Sequence, residues 1–97
     1  MIVKAHKTPD GRVMLAICDN ELIGKKFEER NLQLDLTSNF YKGEEKNEEE
    51  IRLLLKEAHI VNVVGEKSIV FLIKEGIVNK DNIIRVQDIP HAQAITG

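Results

Sequence analysis

Asn47-Glu48-Glu49-Glu50-Ile51-Arg52-Leu53-Leu54-Leu55-Lys56-Glu57-Ala58-His59-Ile60-Val61-Asn62-Val63-Val64-Gly65-Glu66-Lys67-Ser68 reads as a helix, a buried strand and the opening of a second helix, and it decides the fold. Asn47 is a good N-cap, and Glu50 stands three residues on, where a capping-box partner belongs. Glu48 and Glu49 add negative charge at the positive end of the helix dipole. Ile51, Leu54, Leu55 and Ala58 fall at i, i+3, i+4 and i+7, so one face of this helix is apolar. Ile60–Val64 is too short for a helix and rich in β-branched residues, as a buried strand is. Gly65 then leads into a second amphipathic segment with Ile69, Val70, Leu72 and Ile73 apolar and Gly76 at the C′ position.

On the N-terminal side, residues 1–7 and 12–18 read as two strands joined by Thr8-Pro9-Asp10-Gly11, in which Pro presets one turn torsion and Gly accepts positive φ. Val13–Cys18 is apolar on both faces, which suits an interior strand. Residues 21–30 carry Leu22, Ile23 and Phe27 at helical spacing, yet Gly24 opposes a helix. Leu32, Leu34 and Leu36 alternate with polar residues, the period of a half-buried strand. Beyond the second helix, residues 83–86 form a last short strand, and residues 89–97 are expected to form a loosely ordered tail headed by Pro90. The expectation is a single α/β or α+β domain over residues 1–97. It is two-layered, with an N-terminal hairpin followed by β-α-β-α-β in one mixed sheet and both main helices packed on it.

Composition limits the functions open to such a chain. Of its 97 residues 42% are hydrophobic and 31% charged, and the formal net charge is −2. That is the balance of a folded domain, with no global attraction to nucleic acid or anionic membranes, and no DNA partner is expected. The one cysteine, Cys18, cannot form an internal disulfide, which fits a reducing compartment. The start MIVKAHK is interrupted by Lys4, His6 and Lys7, unlike a signal peptide, and no apolar run is long enough to span a bilayer. A cytoplasmic protein with no membrane partner is expected.

Four phrases together resemble a known family. They are Cys18-Asp19-Asn20-Glu21-Leu22-Ile23-Gly24-Lys25, Phe40-Tyr41-Lys42-Gly43-Glu44, Asn62-Val63-Val64-Gly65-Glu66 and Pro90-His91-Ala92-Gln93. The resemblance is to the archaeal proteins grouped as domain of unknown function family 424, and it runs from residue 1 to about Gln93. It implies an archaeal cytosolic protein of compact α/β structure and an association with the genes of translation.

No motif names a reaction. Cys18 would be a nucleophile only with its thiol pKa lowered by a cation or a helix N-terminus, and at the end of an apolar strand its expected role is packing. His6, His59, His91 and Cys18 are scattered without metal-ligand spacing, so neither a metal nor another cofactor is expected. The strand-to-helix turn at Gly65, with Lys67 and Ser68, could cradle a phosphate on free N–H groups, although Glu66 sits in the same turn and the P-loop glycines are missing. Pro90-His91-Ala92-Gln93 is poorly explained by packing. It comes close to Asn62 and Gly65 if the last strand pairs beside Ile60–Val64. Asn62, Gly65, Ser68, His91 and Gln93 are therefore the candidate ligand site. Lys25, Lys26 and Arg30 form the compact basic cluster and are the candidate nucleic-acid contacts. On a helix, Lys26 and Arg30 would share a face, with Glu28 and Glu29 blunting their field.

Two functions follow. The first is a non-catalytic binding module of archaeal translation that contacts RNA, the ribosome or a translation factor, with no catalytic residues. The second is a small enzyme or small-ligand-binding protein with its site between residues 62–68 and 90–93.

Overall fold

A computed structural model describes residues 1–96. Strands β1 (Ile2–Lys7) and β2 (Val13–Cys18) form the expected hairpin. Leu32–Asp35 is a strand as its alternation predicts, but residues 21–30 are not helical. Asn20–Leu22 is a single 3-10 turn, Gly24 takes φ +86°, and Lys26–Glu29 is strand β3, paired antiparallel with β4 (Leu32–Asp35) in a hairpin of its own. The hydrophobic positions Leu22, Phe27 and Leu34 thus meet through a turn and a ladder rather than along one helix face. A two-residue strand, β5 (Glu44–Glu45), lies beside the start of β1.

Helix α1 (Glu48–Leu55) begins with the capping box that Asn47 and Glu50 predict. The Glu50 N–H donates to Asn47 Oδ1 at 2.9 Å, and the Asn47 N–H donates to Glu50 Oε1 at 3.0 Å. Strand β6 (Ile60–Val64) follows, then helix α2 (Glu66–Lys74), which Gly76 closes in the left-handed conformation. The segment expected to be a tail is a strand. β7 (Ile84–Val86) turns at Gln87 and Asp88 into β8 (Ile89–Ile95), and Pro90 is buried within it. Pro90 is tolerated there because it sits near the strand's start, where its missing N–H breaks no essential rung; its carbonyl accepts from the Gly65 N–H at 2.9 Å.

Six strands make one mixed sheet in the order β5-β1-β2-β6-β8-β7, with β2 and β6 parallel and the other neighbours antiparallel. The two faces follow the parity of the sequence. Leu15, Ile17, Val61, Val63 and Ala92 point to one face and pack with Ile51 of α1 and Ile69 and Leu72 of α2, so both helices cover the same side. Cys18, Val64 and Val86 point to the other, where Leu22, Leu34 and Leu36 of the β3–β4 region lie over them. The fold is therefore α+β, with a two-layer core and a partial third layer.

Replacing Asn47 with Ala removes the acceptor for the Glu50 N–H and should lower stability by about 1 kcal/mol, read as an earlier urea midpoint with an unchanged slope.

Candidate functional site

The end of β2 and the start of α2 are joined by one carboxylate. Asp19 is 3% exposed. It accepts from the Lys67 N–H (3.1 Å), the Ser68 N–H (2.8 Å) and the Ser68 hydroxyl (2.6 Å). These are the orphan donors of a helix N-terminus, and a carboxylate is the ligand that such an end favours. The anion cradle expected at Gly65–Ser68 is real in geometry but already occupied from within the chain. Gly65 has φ +109°, and a Cβ there would lie 2.3 Å from the Asp19 carboxyl carbon. Glycine is thus required both by the backbone and by the close approach of the carboxylate. Gly65 and Ser68 serve the fold, and Ser68 is fully buried.

Asn62, Gln93 and His91 are brought together. β8 pairs antiparallel with β6, setting Asn62 opposite Gln93 and Val64 opposite His91. The expected adjacency to Ile60–Val64 therefore exists, supplied by the supposed tail rather than by residues 83–86. Across the sheet these residues extend into rows on the face away from the helices. One row is Lys4, Ala16, Asn62 and Gln93; the next is His6, Met14, Ile60 and Ile95. The third, Ile2, Cys18, Val64 and His91, runs toward the β3–β4 layer.

The first two rows are only partly covered. Gln93 and Ile95 are exposed, the latter by 77%, while Asn62 and Met14 are half-buried. A loop over residues 37–43 walls one side. There the Phe40 ring stacks on His6 at 4.6 Å and 11° between planes, and His6 Nε2 lies 2.8 Å from the Phe40 carbonyl. Tyr41 meets Phe40 edge-on and packs into the cluster around Cys18; burial there raises its phenol pKa above the usual range. Burial also lowers the His91 pKa, which favours a neutral ring near pH 7. The surface offers apolar and amide groups on strands and the Phe40 ring on a loop.

The basic candidates disperse. Lys25 and Lys26 stand at one end of the β3–β4 hairpin, and Arg30 lies in its turn with φ 56°. Lys26 and Arg30 are four residues of extended chain apart, roughly 13 Å, where a helix would have put them on one face. Lys26 is also ion-paired with Glu28 at 3.2 Å. Cys18 is fully buried; desolvation first, then the nearby charges of Asp19 and Glu21, push its thiol pKa up to about 12, the opposite of an activated nucleophile. No local sequence signal marks Asp19 for this role: its partner lies 48 residues away, and the β2–β6 pairing brings them together.

Fold and surface together define a small α+β protein with one helix-covered and one half-open sheet face. Residues 6–96 match the family described as protein of unknown function (DUF424), and the chain belongs to that family. It is similar to the crystal structure of an uncharacterized conserved protein from Methanopyrus kandleri, with a TM-score of 0.77 and 26% identity over 95% of this chain and 87% of that one. No curated protein matches it.

Asp19→Ala should cost about 2–4 kcal/mol in urea unfolding, because it strands a buried hydroxyl and two helix N–H groups. Cys18 adds a pH dependence. Its folded pKa lies above the unfolded value, so its contribution is intact below about pH 9 and drains away as pH rises toward 12. Stability should fall there by roughly 1 kcal/mol per pH unit from this group, and a Cys18→Ala variant should lack that slope.

Proposed function

We propose that this is a non-catalytic binding module of archaeal translation, working in the cytoplasm, that contacts RNA through the half-open sheet face. The observation that carries the reading is this face. Both helices lie on the opposite side, leaving Met14 directly opposite His6 of the stacked His6–Phe40 pair and Asn62 and Gln93 farther across the same face. Single-stranded RNA is bound by such means: bases stack on aromatic rings, amides meet base edges, and lysines meet phosphates. Lys4 lies in the same row as Asn62 and Gln93, and the Lys25–Lys26 end of the hairpin runs into the loop that carries Phe40. The Methanopyrus source of the similar structure favours the archaeal setting, and the translational setting is what the sequence resemblance to the family implies.

The small-ligand or enzymatic reading has less support. Asp19 fills the anion cradle, and the clefts at the strand edge and along the helices are lined by residues other than Asn62, Gly65, Ser68, His91 and Gln93.

A labelled single-stranded RNA titrated by fluorescence anisotropy should bind at low salt and weaken as salt rises. Phe40→Ala should weaken binding about tenfold, and an Asn62→Ala, Gln93→Ala double variant should also weaken it, both keeping the native circular dichroism. Failure of RNA to bind at low salt, together with failure to co-sediment with ribosomes, would refute the reading.

A further inference from the structure

One edge of the sheet is left open in a regular way. In an antiparallel strand, alternate residues turn their N–H and C=O groups to opposite sides. Thr8 N–H donates to the Arg12 carbonyl at 2.8 Å, so the even-numbered residues of β1 bond toward β2. On the outer side, the Met1 ammonium and carbonyl bond with Lys46 at 3.3 and 2.8 Å, and β5 pairs with Ile2 and Val3. The chain then leaves the edge. At Gly43 it passes so close that a Cβ would lie 1.9 Å from the Val3 carbonyl oxygen, and Lys42 turns away with its N–H donating to the Asn39 carbonyl at 3.2 Å.

By the same alternation, Ala5 and Lys7 turn their N–H and C=O groups outward, and both residues are exposed. Among the described residues no strand pairs with them there. Beside Ala5 lies a cleft of about 370 Å³ with Val3 and Leu54 as its apolar lining and Lys4, Lys42, Lys46 and Glu44 around it. Lys46 and Glu44 pair with each other at 3.7 Å, and Lys7 follows along the edge. The local charge is positive on a chain whose net charge is −2.

We propose that this edge is a docking site for an extended acidic peptide, which adds a strand to the sheet at Ala5–Lys7. The strand takes up the two outward donor–acceptor pairs; its apolar side chains reach the Leu54 cleft and its carboxylates meet Lys7 and Lys42. A second copy of this chain is a poor occupant, since pairing two β1 edges would gather the lysines of both on one ladder. Lys4 borders both surfaces, but Ala5, Lys7, Lys42 and Leu54 lie outside the Asn62–Gln93 rows, so the peptide site does not depend on RNA binding there.

The test uses the whole protein and a capped hexapeptide alternating Glu and Val, with alternating Lys and Val as control. Amide exchange at Ala5 and Lys7 should slow about tenfold with the acidic peptide alone. Lys7→Glu should weaken the affinity about tenfold, and Ala5→Pro, which removes an outward N–H, should abolish binding. Unchanged exchange at Ala5 and Lys7, equal binding of the basic control, or full affinity in folded Ala5→Pro would each overturn the proposal. Should Ala5→Pro not fold, full affinity in Lys7→Glu overturns it.

Discussion

The Asp19 carboxylate at the start of α2 is the constraint on which the rest of the molecule depends. It ties the end of β2 to the helix that follows β6, two segments that are neighbours only because β2 and β6 run parallel. Parallel strands cannot be joined by a tight turn, so their register needs a long-range pin. The Asp19 N–H donates to the Val64 carbonyl at 3.1 Å while its side chain holds Lys67 and Ser68, so backbone and side chain of one residue set both the strand register and the helix direction. Gly65 is the complement of that arrangement, since only a residue without Cβ leaves the carboxylate its place. A helix end that could have received a substrate phosphate is thereby converted into a structural joint.

With α2 fixed, the parity of the strands distributes the apolar residues. Both helices take one side, and aliphatic side chains supply nearly all of that packing. The other side has less material to cover it: a hairpin of two four-residue strands, a 3-10 turn and a loop carrying two aromatics. These suffice for Cys18, Val64 and Val86 but leave the rows through Asn62 and Met14 half-open. Partial cover explains why polar amides stand next to isoleucine and methionine on a sheet face. It also explains why the thiol of Cys18, beneath the covered part, is inert.

Charge is arranged locally rather than globally. Arg12 pairs with Asp10, Lys26 with Glu28, Arg52 with Glu48 and Glu75, and Arg85 with Glu66. Exposed pairs of this kind contribute little to stability, but they remove cations from any extended field. The acids Glu48, Glu49 and Glu50 in the first turn of α1 are absorbed by the capping box and the helix dipole. Lysines of β1 and of the 37–43 loop stand apart from these pairs, which gives a nearly neutral protein a positive edge.

The elements legible in the sequence were those whose signals are local. Asn47 and Glu50 mark a helix start because both partners of the cap lie within one turn. Val13–Cys18 and Ile60–Val64 read as interior strands because they are apolar without interruption, and Leu32, Leu34 and Leu36 alternate because one face is buried. Residues 21–30 stay ambiguous in the sequence because Leu22, Ile23 and Phe27 satisfy a helical period by coincidence while Gly24 opposes it, and β3 gains its pairing only from β4. Residues 89–95 looked like a tail because a strand holding Pro and two alanines has weak propensity; its rungs come from β6 and β7 on either side. Asn62, His91 and Gln93 could be singled out as chemistry-bearing residues, yet their place on one half-open face came from the β6–β8 register. The sequence by itself determined the fold class, the main helices and the central strands, since these rest on nearest-neighbour physics. The tertiary structure alone decided that the phosphate-like cradle is filled by Asp19, that the basic cluster disperses and that one face and one edge stay open, because each depends on strand pairings across tens of residues.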